Sequence, residues 1–222
     1  NTFNDNGVGS EPDNTNYDAF GLGEIPISYF YGPPTHFYTK YDTNGAAYYD
    51  YELTKQTYQD VKDAGFNIAI YNGELDYSTQ ENIRIAGICE ELGLKFIGHN
   101  PHYATHADRV KAIKDAFGDS ETYIGEYQAD EPNESTFPQH AEFTREFLKE
   151  MPDKEVYINL FPMYANTTQT GSLNYEDHVK NYIDLVNTKS VSFDYYGLKG
   201  DHELRYTYFQ NLDLVRMNTL RA

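Results

Sequence analysis

The chain has 222 residues, of which 39% are hydrophobic. That is enough for one sizeable core, yet short of the roughly 250 residues usual for a closed eight-fold βα barrel. Its 35 Asp and Glu outnumber 17 Lys and Arg for a formal net charge of −18. Such a surface repels phosphate backbones and anionic membranes, so nucleic acid and lipid are poor partners and a neutral substrate is favoured. Cys89 is the single cysteine, which excludes an intrachain disulfide, and no apolar run reaches the ~18 residues of a membrane-spanning helix.

In chain order, residues 1–24 are polar and rich in Asn, Asp and Gly, and read as an arm or linker. No basic-then-apolar leader opens the chain. The start Asn1-Thr2-Phe3-Asn4 fits a mature end left by a removed leader, so a secreted or cell-surface setting is expected. From residue 25 to 222 the chain alternates. Short apolar or β-branched runs at 25–31, 66–71, 95–98, 122–127, 155–160 and 190–195 are expected as strands.

Each run is followed by a helical pattern with its own punctuation. One over 53–64 stops at Gly65. Ser78-Thr79-Gln80-Glu81 forms a capping box for a helix that ends at Gly93. Cys89 falls in that helix beside Ile85, Ile88 and Leu92 and reads as core. Thr105 and Asp108 open a third helix. Further helices are expected over 137–150, 175–186 and 204–220.

Strands alternating with helices imply parallel pairing and right-handed crossovers. No Gly-rich phosphate turn follows the first strand, where Tyr31-Gly32-Pro33-Pro34 stands, which argues against a dinucleotide fold. Polar and aromatic residues gather just after each strand instead, as at the C-terminal rim of a barrel enzyme. The expectation is an α/β chain of the (β/α)8 TIM-barrel type with about six βα units, a barrel incomplete at its C-terminus and continuing past Ala222.

The fourth strand leads into Asp130-Glu131-Pro132. Two crowded carboxyls in a partly dry cleft raise the pKa of one and make a proton donor near neutral pH. The same tripeptide would also serve simply as the acidic start of the following helix. The other rim residues with groups suited to sugar hydroxyls are Tyr29, Tyr31, Asn72, Glu74, His99, Asn100, Asn159, Tyr164, Asp194 and Tyr196. A chain with 22 Tyr, 13 Phe and no Trp can present ring faces beside hydroxyls, although many of these rings are expected at sheet–helix contacts. A metal reading of His99, His102 and His106 is weaker: Pro101 breaks helical spacing, and no H-x-H pair lies on the first strand. No G-x-S-x-G supports a serine nucleophile.

Four segments besides the fourth strand carry a resemblance: Pro33-Pro34, Asp63-Ala64-Gly65-Phe66-Asn67, Ser192-Phe193-Asp194-Tyr195-Tyr196, and the stretch 208–216. Together they resemble the large clan of retaining glycoside hydrolases with acid/base and nucleophile Glu on barrel strands four and seven. Within it, the β-galactosidase-type and related bacterial families are the most similar. The resemblance implies that Glu131 is the acid/base and that Asp130 stands where those families commonly have Asn. It places the nucleophile on a seventh barrel strand beyond Ala222, so this chain alone would not complete the double displacement. It implies a carbohydrate substrate cleaved at an O-glycosidic bond, with no cofactor and no metal. The alternative from another class is a carbohydrate-binding barrel without catalysis, or a surface scaffold protein. Which sugar, and which oligomer, the sequence leaves open.

Overall fold

Strands joined by crossing helices lie parallel, because the helix carries the chain back to the end of the sheet where the previous strand began. The computed structural model describes residues 20, 22–30, 32–33, 39–41, 43–45, 47–49, 51–71, 78–200 and 203–221. A small antiparallel hairpin, β1 (Thr39–Tyr41) with β2 (Ala47–Tyr49), precedes helix α1 (Tyr51–Asp63). The repeat follows: β3 (Ile68–Ile70), α2 (Thr79–Leu92), β4 (Lys95–Gly98), α3 (His106–Phe117), β5 (Tyr123–Asp130), α4 (Phe137–Glu150) and β6 (Glu155–Leu160). After β6 come the single-turn α5 (Thr167–Thr170), α6 (Tyr175–Leu185), β7 (Ser192–Phe193) and α7 (Tyr208–Thr219).

The main sheet is five-stranded, in the order β3-β4-β5-β6-β7 with every pair parallel. It curls as part of a TIM-like barrel, and a closed barrel is not formed among the described residues. The first expected strand is reduced to one parallel bridge from Ser28 to Ile68. The last shrinks to Ser192–Phe193.

The two faces of the sheet serve two apolar layers, as a period of two requires. Ala69, Phe96, Tyr123, Val156, Ile158 and Leu160 pack outward under the helices. They meet Ile85, Ile88 and Cys89 of α2, Val110 and Ile113 of α3, and Phe143 and Phe147 of α4. Ile68, Ile70, Ile97, Ile124 and Tyr127 form the inner layer. Phe20, Leu22 and Phe30 pack on that inner layer, so the described end of the polar N-terminal segment joins the core.

Helix ends follow the sequence signals closely. Ser78 caps α2 by accepting from the Glu81 amide, and Gly93 closes it at φ 68°. Thr105 caps α3 by accepting from the Asp108 amide. Three differences have local causes. β5 runs past residue 127 because Ala129 and Asp130 find partners in Ile158 and Asn159, and that ladder outweighs weak strand propensity. The last helix starts at Tyr208, not 204, because Leu204 bridges Leu198 in an antiparallel turn. The β1–β2 hairpin, with Gly45 at φ 78°, follows an Asn44-Gly45 turn signal that lay outside the βα rhythm.

Candidate active site

The site stands where β4, β5, β6 and β7 end, at the C-terminal rim of the sheet. Glu131 directly follows β5 and is the half-buried residue at which the chain leaves the sheet. It takes φ 42°, in the left-handed region that side-chain-bearing residues adopt at a cost of about 1–3 kcal/mol. The conformation is held from both sides. Its amide donates to the Asn159 carbonyl at 2.7 Å, and Pro132 behind it is buried.

Asn133 then ties the turn to the loop after β6. Its side-chain oxygen caps a 3-10 turn at Ser135 N, while Nδ2 donates to the carbonyls of Gln169 at 2.8 Å and Thr168 at 3.2 Å. Gly171 faces this amide at φ 73°, and a Cβ there would sit 2.4 Å from Asn133 Oδ1, so the contact requires glycine. Glu134 adds a second tie, accepting from Asn181 Nδ2 at 2.9 Å and from the Ser172 hydroxyl.

Three carboxyls converge here. Burial, then the charges of Asp130 and Asp194, push the Glu131 carboxyl above its ordinary range. Burial also raises Asp194, against a hydrogen bond from Tyr196 that lowers it, with Asp130 adding to the rise. Tyr196 is 64% exposed, and the Asp194 charge holds its phenol above the usual value. Among the described residues, no side chain donates to the Glu131 carboxyl.

The other sequence candidates separate by depth. Asp130 is exposed and its Oδ1 accepts from Asn159 Nδ2 at 3.1 Å. Asp194 extends the β6–β7 pairing by donating its amide to the Leu160 carbonyl at 2.9 Å. Tyr164 lies across the rim: its hydroxyl accepts from the Tyr196 amide at 3.4 Å, and Tyr195 meets its ring edge-on at 5.2 Å. His99 packs against Tyr127 with the rings tilted and their centroids 4.9 Å apart, and burial lowers its pKa to about 4, so its ring is neutral at ordinary pH. Its peptide is gripped by Asn82, which accepts from His99 N and donates to His99 O, each at 2.8 Å.

Asn100 does not reach the cleft. It is fully buried on the helix side of the sheet, donating its amide and its Nδ2 to Glu126 at 2.6 and 3.0 Å. Tyr29 packs instead toward Tyr58 and Cys89 under the helices. Tyr31, Asn72 and Glu74 lie outside the described residues.

Several residues of the site have no sequence motif. Arg205 lays its guanidinium over the Tyr164 ring at 4.4 Å and donates from Nε to the Tyr196 carbonyl at 3.0 Å, bracing that wall of the rim. Ser192 and Tyr157 form an inner row with Asn159. Simple alternation would have found them, since Tyr157 and Asn159 on β6, and Ser192 and Asp194 at β7, are each two residues apart. Among the described residues no three His, Cys, Asp or Glu come together to hold a metal ion. Nor is any helix long and apolar enough to cross a membrane. Two cavities, of about 300 and 550 Å³, lie elsewhere, one beside Tyr182 and Ser190 and one between α3 and α4. The carboxyl cluster stands on the open rim, not in either of them.

No protein-family model matches the chain, and no curated protein matches it in sequence. In three dimensions it is similar to an FMN-binding β-glucuronidase from Facaelibacterium prausnitzii L2-6, at 12% identity and a TM-score of 0.56, over 90% of this chain and 29% of that one. It is similar to a Bacteroides uniformis β-glucuronidase at 12% identity and a TM-score of 0.52, over 88% and 23% of the two chains. A Parabacteroides merdae β-glucuronidase gives 12% identity and a TM-score of 0.50, over 77% and 21%. The chain therefore spans less than a third of the length of these structures. At this identity the likeness is one of fold, a partial TIM-like barrel.

Proposed function

We propose that the chain is the catalytic-barrel portion of a retaining glycoside hydrolase acting on the O-glycosidic bonds of a neutral oligo- or polysaccharide. A secreted or cell-surface setting goes with that reading. The observation that carries it is Glu131: a carboxyl at a strand end, on a left-handed residue, raised by burial and by Asp130 and Asp194, and held by no side chain among the described residues. A carboxyl raised in this way holds its proton to a higher pH than an ordinary one and is free to deliver it. The Glu131 carboxyl gives its proton to the leaving glycosidic oxygen as the C–O bond breaks. The carboxylate left behind takes a proton from the water that later frees the sugar. The attacking carboxylate of the first step is assigned to a seventh barrel strand, by the resemblance alone.

The substrate class follows from charge. The charges of Asp130 and Asp194 would repel a sugar carboxylate, so a neutral ring is favoured even though the structural neighbours are named for glucuronides. Tyr164 and Tyr196 supply ring faces and hydroxyls for it. The test is turnover of neutral aryl glycosides against the matching glucuronide by the natural protein that carries this chain. The neutral series should be hydrolysed, and Glu131→Gln should lower the rate by about 10²- to 10⁴-fold. Preference for the glucuronide would overturn the substrate class.

One observation favours a second reading, a carbohydrate-binding barrel without catalysis. Asp130 is engaged by Asn159 and Asp194 by Tyr196, so neither is a free second carboxylate. Sugar binding with no turnover by the natural protein would select it.

A further inference from the structure

We propose that Asn159 is the positioning residue of this site, holding Asp130 and Glu131 together while a hydroxyl relay from Tyr157 and Ser192 fixes its own carboxamide. The proposal rests on the hydrolase reading of Glu131. Its place in the sequence suggests a sugar contact, but Asn159 is only 4% exposed and both ends of its amide are engaged. Its carbonyl accepts from Glu131 N at 2.7 Å, the bond that holds the left-handed residue against β6. Its Nδ2 donates to Asp130 Oδ1 at 3.1 Å. One residue thus grips both members of the pair, by backbone and by side chain.

The direction of the relay is set by chemistry. An ionised carboxylate only accepts, so the amide must turn its nitrogen to Asp130 and its oxygen away. That oxygen takes the Ser192 hydroxyl hydrogen at 2.9 Å. Ser192 is then left to accept, which commits the Tyr157 hydroxyl, 2.9 Å away, to donating. Asp130, Asn159 and Ser192 are also register partners across β5, β6 and β7, so the row is built into the pairing of three strands. Asp194, the other charge acting on Glu131, follows Ser192 by two residues on that same strand end. The relay therefore sets the spacing among the three carboxyls, and with it the field in which Glu131 gives up its proton.

Asn159→Asp tests this with almost no change of shape, since it replaces the donating nitrogen by an oxygen that repels Asp130. In the natural protein, kcat on a neutral aryl glycoside should fall roughly tenfold or more while KM stays within about twofold. Activity should recover as pH is lowered, because the introduced carboxyl donates again once it is protonated. Loss of folded protein would lower kcat equally at every pH and show no such recovery. A second readout needs no catalysis: the Glu131 carboxyl titration followed by carbon NMR, whose midpoint should rise further in Asn159→Asp. Ser192→Ala, which removes the upstream link, should move both readouts the same way by less, and carries the test alone if Asn159→Asp does not fold. Unchanged kcat and an unchanged Glu131 midpoint in the folded variants would overturn the proposal. Should Glu131→Gln keep full activity, the hydrolase reading falls, and the NMR midpoints by themselves decide for or against the relay.

Discussion

Glu126 on β5 and Glu131 directly after it could hardly be treated more differently. Glu126 is fully buried on the helix side, ion-paired with Arg109 at 2.9 Å and receiving hydrogen bonds from Asn100 and from the Tyr123 hydroxyl at 2.7 Å. Glu131 stands at the rim on a strained residue, among like charges, with no side-chain donor among the described residues. A carboxylate that is surrounded by donors is a fixed part of the framework. One deprived of them, with other carboxylates nearby, holds its proton to a higher pH than usual. The protein gathers its buried donors around the first and withholds them from the second, and this contrast separates scaffold from site more sharply than burial alone.

The largest effect should come from breaking the scaffold side. Arg109→Met leaves Glu126 buried without its cation, and a loss of about 3–5 kcal/mol in urea unfolding is expected. A loss below about 1 kcal/mol would mean that water or Asn100 replaces the arginine, and the contrast would weaken.

Glu155 offers an intermediate case. It is fully buried at the start of β6, with Oε1 accepting from the Ser190 hydroxyl at 3.3 Å and Oε2 bonded to nothing among the described residues. Burial raises its pKa to about 7, against the opposing pull of Ser190 and Lys189. A carboxyl raised on folding stabilises fully below its unfolded pKa, and that contribution is lost as pH rises through 7. Glu155→Gln should therefore flatten the pH dependence of stability, and above pH 7 exceed the parent by about 3 kcal/mol. Parallel stability curves for the two proteins between pH 4 and 8 would contradict this.

The smallest effect sharpens the other side of the comparison. Glu131→Gly removes the side chain from a left-handed residue, so thermal unfolding should show a gain of about 1 kcal/mol while activity is lost. A destabilised variant would mean that the Glu131 side chain belongs to the framework after all.

Much of this architecture was legible beforehand, because its signals are local. Ser78, Gly93 and Thr105 marked helix ends that the structure keeps, and β4 and β6 lie where their apolar runs stood. The edges of the sheet were less legible: Ser28 and Ser192–Phe193 depend on how far a neighbouring strand reaches, which no local pattern encodes. At the rim, Glu131, Asp194, Tyr164 and Tyr196 gather as expected from their places after strands. Asn100 falls on the helix side because it keeps the parity of Phe96, and the extra residue in β5 turns Glu126 to that same side to meet it. Arg205 was invisible for another reason. It arrives from the turn before α7, and the Leu198–Leu204 bridge, with the Arg205 amide donating to the Gly197 carbonyl, brings it onto Tyr164.

The central claim, that Glu131 delivers the proton to the leaving oxygen, is tested most directly by the dependence of kcat on leaving-group acidity in the natural protein and in Glu131→Gln. A lost acid matters most where the leaving group needs a proton. The variant should hydrolyse neutral aryl glycosides with strongly acidic phenols nearly as fast as the parent, and lose roughly 10²-fold or more on poorly acidic ones. An equal loss across the whole series, or none at all, would contradict the assignment of Glu131.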